Sequence, residues 1–170
     1  MKVAETLSLP LSPDAVCAMY ADPRYAEVRA EALGATSARS NVSGEPAGAF
    51  TVTTTLVMPT KGIPDVARPF VGSSVTITEE QSWQAPGADG SRAGSTRLVV
   101  EGTPASMTGT MRLEAVGADG ARITVDGDMV AKVPLIGGRL ERAAAPYVGK
   151  ILRREEKAAA AYAKRFPAEG

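Results

Sequence analysis

Histidine is absent from the 170 residues, and the chain holds one cysteine, Cys17. The first absence removes the commonest general base, the commonest transition-metal ligand and every Ser–His or Cys–His nucleophile pair. The second excludes an intrachain disulfide and leaves a zinc site only a lone thiolate and carboxylates, an improbable donor set. No metal and no other cofactor is expected. Cys17 lies in a helical apolar pattern and reads as a small core residue.

Neither sign of charge is in excess: Lys plus Arg and Asp plus Glu both total 19. Nucleic-acid affinity needs surplus cations to neutralise phosphates, so no nucleic-acid partner is expected. No apolar run approaches the roughly 20 residues that span a bilayer, so no stable membrane insertion is expected. The opening residues MKVAETLSLPLS contain no apolar stretch of signal-peptide length, and the expected location is the cytoplasm. Aromatic residues are only 5% of the chain, against 44% apolar and 22% charged. That balance and length suit one soluble domain over residues 1–170 with a full core of its own.

What is present is mostly strand. Residues 2–9 alternate, with Val3, Glu5, Leu7 and Leu9 on one face, and Pro10 ends the run. Two short helices follow. Ser12 caps the first and Pro13 opens it, with Val16, Met19 and Tyr20 on its buried side. Asp22 caps the second, Pro23 opens it and Gly34 ends it, with Tyr25, Val28 and Leu33 buried. Strands are then expected over 35–43, 49–58, 74–83, 95–102, 105–116 and 121–133. Residues 85–94 form a turn-rich connection, and GADG at 117–120 marks a tight hairpin. The proline-rich stretch 59–72 cannot be a long regular element, though a helical turn fits Asp65–Arg68. One-sided alternation through the last strands describes an antiparallel sheet with one solvated face.

The chain finishes on a long helical pattern. Ile136, Leu140, Ala143 or Ala144, Tyr147, Ile151, Ala158, Tyr162 and Phe166 trace its apolar stripe, while Lys150, Arg153, Arg154, Glu155, Glu156 and Lys157 lie mainly off it. Pro146 predicts a kink or break. Gly137 and Gly138 read as a hinge or turn between the last strand and the helix rather than an anion site, because no phosphate-loop pattern accompanies them. The basic residues Lys150, Arg153, Arg154, Lys157, Lys164 and Arg165 read as a solvated helix face. Asp126 and Asp128 face outward with too few carboxylates around them to bind a metal.

Strand, two short helices, about six antiparallel strands and a long terminal helix is the order of a helix-grip α+β fold, in which a curved sheet wraps the last helix. The segments SPDAVCAMYADPRYAE, LGA (33–35), IPDVARPFVG, SW (82–83), GTPASMTGTMRLE and DGDMVAKVPLIGGRLER carry a family resemblance over nearly the whole chain. The chain resembles the START-like, polyketide-cyclase-like (SRPBCC) superfamily, most nearly an uncharacterised bacterial branch of it. The resemblance implies a cavity between the concave sheet and the long helix. It also implies ligands of lipid, sterol, polyketide or hormone type, with a few members catalysing cyclisation or dehydration.

The inner face is the first candidate site: Val52, Leu56, Val75, Ile77, Trp83, Leu98, Val100, Met107, Met111, Met129, Leu140, Ala144 and Val148. Each residue alone reads as core. As a set, the flexible methionines, the small residues and the shortage of aromatics favour a pocket. Gly109 and Gly127 are read as leaving room in it. Glu79 and Gln81 share parity with this face and could orient a ligand's polar end. The competing reading, which the sequence favours, is a strand end or bulge that takes both to solvent. The expected function is binding or transport of a small hydrophobic or amphipathic ligand. The alternatives are a cyclase- or hydratase-type enzyme using Glu79, Tyr20 or Tyr147, and an interaction module with a filled interior. No catalytic set and no protein partner is assigned.

Overall fold

The structure, a computed structural model, describes residues 1–61, 63 and 65–167. Its order is β1 (Lys2–Leu9), α1 (Pro13–Tyr20), α2 (Pro23–Leu33), β2 (Ser37–Gly44), β3 (Phe50–Pro59), a 3-10 turn (Arg68–Phe70), β4 (Ser74–Trp83), β5 (Arg92–Val100), β6 (Ala105–Val116), β7 (Gly120–Ala131) and α3 (Gly137–Arg165). The strands form one antiparallel sheet in the order β1-β7-β6-β5-β4-β3-β2. The sheet curves around α3, which is the helix-grip α+β arrangement.

The helix boundaries follow local chemistry. The Ser12 hydroxyl accepts from the Ala15 N–H at 3.3 Å and Pro13 occupies the first turn of α1. Asp22 caps α2 by accepting from the Arg24 N–H at 2.9 Å, and Gly34 ends α2 in the left-handed region at φ 75°. Several strand boundaries differ from expectation by a few residues. β5 begins at Arg92 inside the turn-rich stretch, because pairing of Arg92 with Leu113 extends the strand beyond its local propensity. β7 stops at Ala131, before Val133. The turn expected near Asp65–Arg68 is present, with the Arg68 N–H donating to the Asp65 carbonyl at 3.3 Å, and a 3-10 helix over Arg68–Phe70 continues it; Gly62 and Pro64 of that segment lie outside the described residues.

α3 runs continuously through Pro146, so of the expected kink or break the break does not occur. Pro146 and Arg142 are both exposed, so water can take the Arg142 carbonyl that loses its helical donor. Gly137 is not a free hinge. A side chain there would run into the Ala131 carbonyl oxygen, so this glycine allows the turn from β7 into α3 to close.

The core occupies one end of the sheet. Leu7 and Leu9 of β1, Phe50, Trp83, Leu113, Ala121 and Ile123 pack there with Val16, Cys17 and Met19 of α1, Tyr25 and Val28 of α2, and Ala158, Ala159 and Tyr162 of α3. Cys17 is fully buried, as expected, and burial pushes its thiol up to about 11 despite the opposing field of Arg92. The buried residues of α3 all come from its second half, Glu155 onward. Its first half is at best partly buried along the other end of the sheet. Among the described residues no helix is long and apolar enough to cross a membrane.

Candidate functional site

Where the first half of α3 faces the sheet, a cavity of about 280 Å³ opens. The register builds its wall in rungs. Glu79 pairs with Leu98, Leu98 with Met107, and Met107 with Met129. The next rung runs Gln81, Thr96, Gly109, Gly127, Val3. Ile77 and Val100 extend the apolar wall, and Ala144, Val148, Ile151 and Leu152 of α3 form the roof. Tyr147 and Ile151 line the cavity and are also 37% and 44% exposed, so the mouth lies beside them.

Gly109 and Gly127 shape this wall in a way other than expected. They face each other across β6 and β7, and neither borders the cavity space. A Cβ on Gly109 would lie 2.7 Å from the Asp126 carbonyl oxygen, and one on Gly127 would lie 2.6 Å from that of Thr108. They permit close backbone approach at the bend of the sheet, so their contribution is curvature.

Of the inner-face candidates, Ile77, Glu79, Gln81, Leu98, Val100, Met107, Met111, Met129, Ala144 and Val148 line the cavity. Val52, Leu56, Val75, Trp83 and Leu140 do not. Val52 meets Tyr25 and Ala26 of α2 around a separate, water-sized space, and Leu56 and Val75 are buried away from the cavity. Trp83 sits in the core, stacked on Tyr20 with ring centroids 6.3 Å apart. Leu140 is half-buried near the start of α3.

Glu79 and Gln81 do not turn out to solvent. β4 runs regularly to Trp83, so parity carries both inward. They belong to a chain of polar contacts across the cavity floor. Trp83 Nε1–H donates to Gln81 Oε1 at 3.1 Å, and Gln81 Nε2 donates to Glu79 Oε1 at 3.1 Å. Arg29 reaches Glu79 through Nη1 at 3.1 Å and Nη2 at 3.2 Å. It also grips Glu155 from α3, with Nη2 2.6 Å from Oε1 and Nε 2.9 Å from both oxygens. The Tyr25 hydroxyl donates to Glu155 Oε2 at 3.4 Å.

Burial sets the electrostatics. It raises the pKa of Glu155, against the pull of Arg29. Burial also opposes the charge on Arg29, but Glu155 and Glu79 outweigh it and hold its pKa well above the ordinary value. Tyr20, on the cavity wall, is raised by burial and then by Glu155, so its hydroxyl stays protonated. The floor therefore has a fixed cation, two carboxylates that share it, and a tyrosine beside them.

The sequence reading assigned no role to Arg29 or Glu155, and placed Glu155 mainly off the stripe. The signal was present. Arg29 is four residues after Tyr25 and four before Leu33. Glu155 is four after Ile151 and three before Ala158. Each puts one charge, of opposite sign, on an apolar helical face. The basic residues of α3 also have specific partners. Arg153 bonds Glu156 at 2.8 Å and the Thr6 carbonyl at 2.9 Å, and Arg165 bonds Glu31 at 2.8 Å, tying α3 to β1 and α2.

Residues 5–162 match the model of a family described as Protein of unknown function (DUF2505). The chain belongs to that family. No curated protein matches it. Solved structures place DUF2505 in the START-like fold. The Zhui aromatase/cyclase from Streptomyces sp. R1128 is 16% identical, with a TM-score of 0.59 over 99% of this chain and 96% of that one. TTHA0849 from Thermus thermophilus is 17% identical, with a TM-score of 0.58 over 95% and 98%. A START superfamily protein from Mycobacterium smegmatis is 14% identical, with a TM-score of 0.55 over 92% and 94%. At these identities the likeness speaks for the fold.

Proposed function

We propose that the protein binds a small hydrophobic or amphipathic ligand, lipid- or polyketide-like, between the sheet and the first half of α3. The observation that carries this is the cavity of about 280 Å³, walled mainly by apolar side chains such as Val3, Leu98, Val100, Met107, Met129 and Val148, with Arg29, Glu79, Gln81 and Glu155 forming a polar floor. Its size is just below the roughly 300–1,000 Å³ of typical small-molecule sites, which suits a ligand of modest size. The open interior tells against the filled-interior alternative. Ile77, Glu79, Gln81, Leu98, Met107, Met111, Met129, Ala144 and Val148 are the proposed contacts. Native mass spectrometry of protein purified from its own host, repeated after denaturation, tests this reading. A small molecule released only on unfolding supports it. An apo protein that also takes up neither decanol, a neutral apolar probe, nor its amine analogue decylamine overturns it.

A second reading, acid–base chemistry on the bound ligand, has a specific basis. Tyr20, Glu79 and Tyr147, the three candidate acids and bases, all border the cavity. A neutral Tyr20 hydroxyl on the wall that Glu79 also lines could donate to and polarise a ligand carbonyl. If a co-purified ligand is turned over, Tyr20→Phe should slow turnover while leaving its binding in place. Unchanged turnover would remove Tyr20 from that role.

A further inference from the structure

We infer that the cavity selects an apolar ligand bearing a cationic group, such as a protonated amine, over the carboxylate of the same carbon skeleton. This deepens the ligand-binding reading above and rests on it. Its ground is the charge balance of the wall. Among the described residues, the charged side chains that border the cavity are Glu5, Arg29, Glu79 and Glu155, three carboxylates against one guanidinium.

The guanidinium has little left to offer an anion. Its Nε and Nη2 are engaged by Glu155, and its Nη1 and Nη2 by Glu79. A ligand carboxylate would find the one cation already occupied by two acids and would add a fourth negative group to the same space. A neutral head group gains no such charge contact.

Glu5 supplies the opposite flank. It lies on β1, while Glu79 lies on β4, with β7, β6 and β5 between them in the curved sheet. Glu5 forms no ion pair among the described residues, although it borders the same cavity. A cation entering among Val3, Leu98 and Met107 thus meets a carboxylate side on each flank, one of them free. Glu5 and Glu79 are both only partly exposed, so water screens them less than it would on an open surface.

Decylamine, decanol and decanoate have one carbon skeleton and cationic, neutral and anionic heads. Calorimetric titration of each, below its micelle concentration and near neutral pH, tests the inference on the intact protein. The expected order is decylamine, decanol, decanoate, with decylamine tighter than decanoate by roughly tenfold or more. Glu5→Gln should narrow the gap severalfold. It removes a charge without unpairing Arg29, so its fold does not depend on the floor network. Glu79→Gln should also narrow the gap wherever circular dichroism shows it folded. Decanol binding with no preference for decylamine overturns the charge selection alone. So does a preference that persists unchanged in Glu5→Gln and folded Glu79→Gln. Failure of both decanol and decylamine to bind overturns the ligand-binding reading as well.

Discussion

Arg29 of α2 and Glu155 of α3 meet in a forked ion pair, with Nη2 2.6 Å from Oε1 and Nε 2.9 Å from both carboxylate oxygens. The pair is buried, and Glu79 of β4 completes it from the sheet side. It fastens both helices to the sheet at the boundary between the filled core and the open cavity. Arg29→Met leaves two carboxylates without their cation, a change that costs about 3–5 kcal/mol near neutral pH. Burial already raises Glu155. Without Arg29 the folded state favours the protonated acid, so the deficit is largest at high pH and shrinks as the pH falls towards the carboxylate range. Urea unfolding of wild type and variant at about pH 8 and about pH 5 measures this. An equal deficit at both would contradict it.

Asp22 links the start of α2 to the end of α3. It accepts from Tyr162 Oη at 2.6 Å and from Arg24 Nη2 at 2.7 Å. The Arg24 hydrogen bonds, with help from Tyr162 and against burial, hold its carboxyl at about 2 instead of 3.8. A depressed folded value stabilises the protein above the ordinary pKa and ceases to do so as the pH falls from 3.8 through about 2. Thermal unfolding across that window should fall more steeply for wild type than for Asp22→Asn. Parallel curves would show that Asp22 contributes no such linkage.

Gly127 should tolerate no branched side chain. Its Cβ would sit 2.6 Å from the Thr108 carbonyl oxygen and 3.2 Å from the Gly109 Cα, where the neighbouring atoms are backbone. Gly127→Val is expected to cost roughly 1–3 kcal/mol or more, as overpacking does, with a lower melting temperature and a flattened sheet. An unchanged melting temperature would mean that the bend does not depend on this pair of glycines.

Trp83 offers an internal reporter. It is the one tryptophan of the chain, it is 2% exposed, and it contacts the cavity wall through its hydrogen bond to Gln81 and its stack on Tyr20. A ligand that displaces Gln81 or Tyr20 should shift or quench its emission saturably. Calorimetric binding with a silent Trp83 would place the ligand elsewhere.

The architecture was legible because its signals are local. Caps at Ser12 and Asp22, period-two alternation in β6 and β7, and the long stripe of α3 each act within a few residues. The cavity floor was only half legible. Parity put Glu79 and Gln81 inward, but nothing local excluded a bulge, and the inward reading needed the cation that waits on α2. Arg29 and Glu155 are 126 residues apart, and each alone resembles an ordinary surface charge on a helix. Only their meeting in space explains why both interrupt apolar faces. Gly109 and Gly127 were legible as small but not as a bend, because curvature is a property of paired strands. Val52 and Trp83 shared the correct parity, yet α2 and α1 bring the aromatic packing that covers them.

The central claim is that the space between the sheet and α3 holds a ligand. Its most direct test is calorimetric titration of decanol into wild type and into Ala144→Phe, whose new ring projects from the cavity roof. The account predicts saturable one-site binding by wild type and its loss in the variant, with melting temperature kept or raised as the void fills. A wild type that binds neither decanol nor decylamine, or the same binding by both proteins, would contradict it.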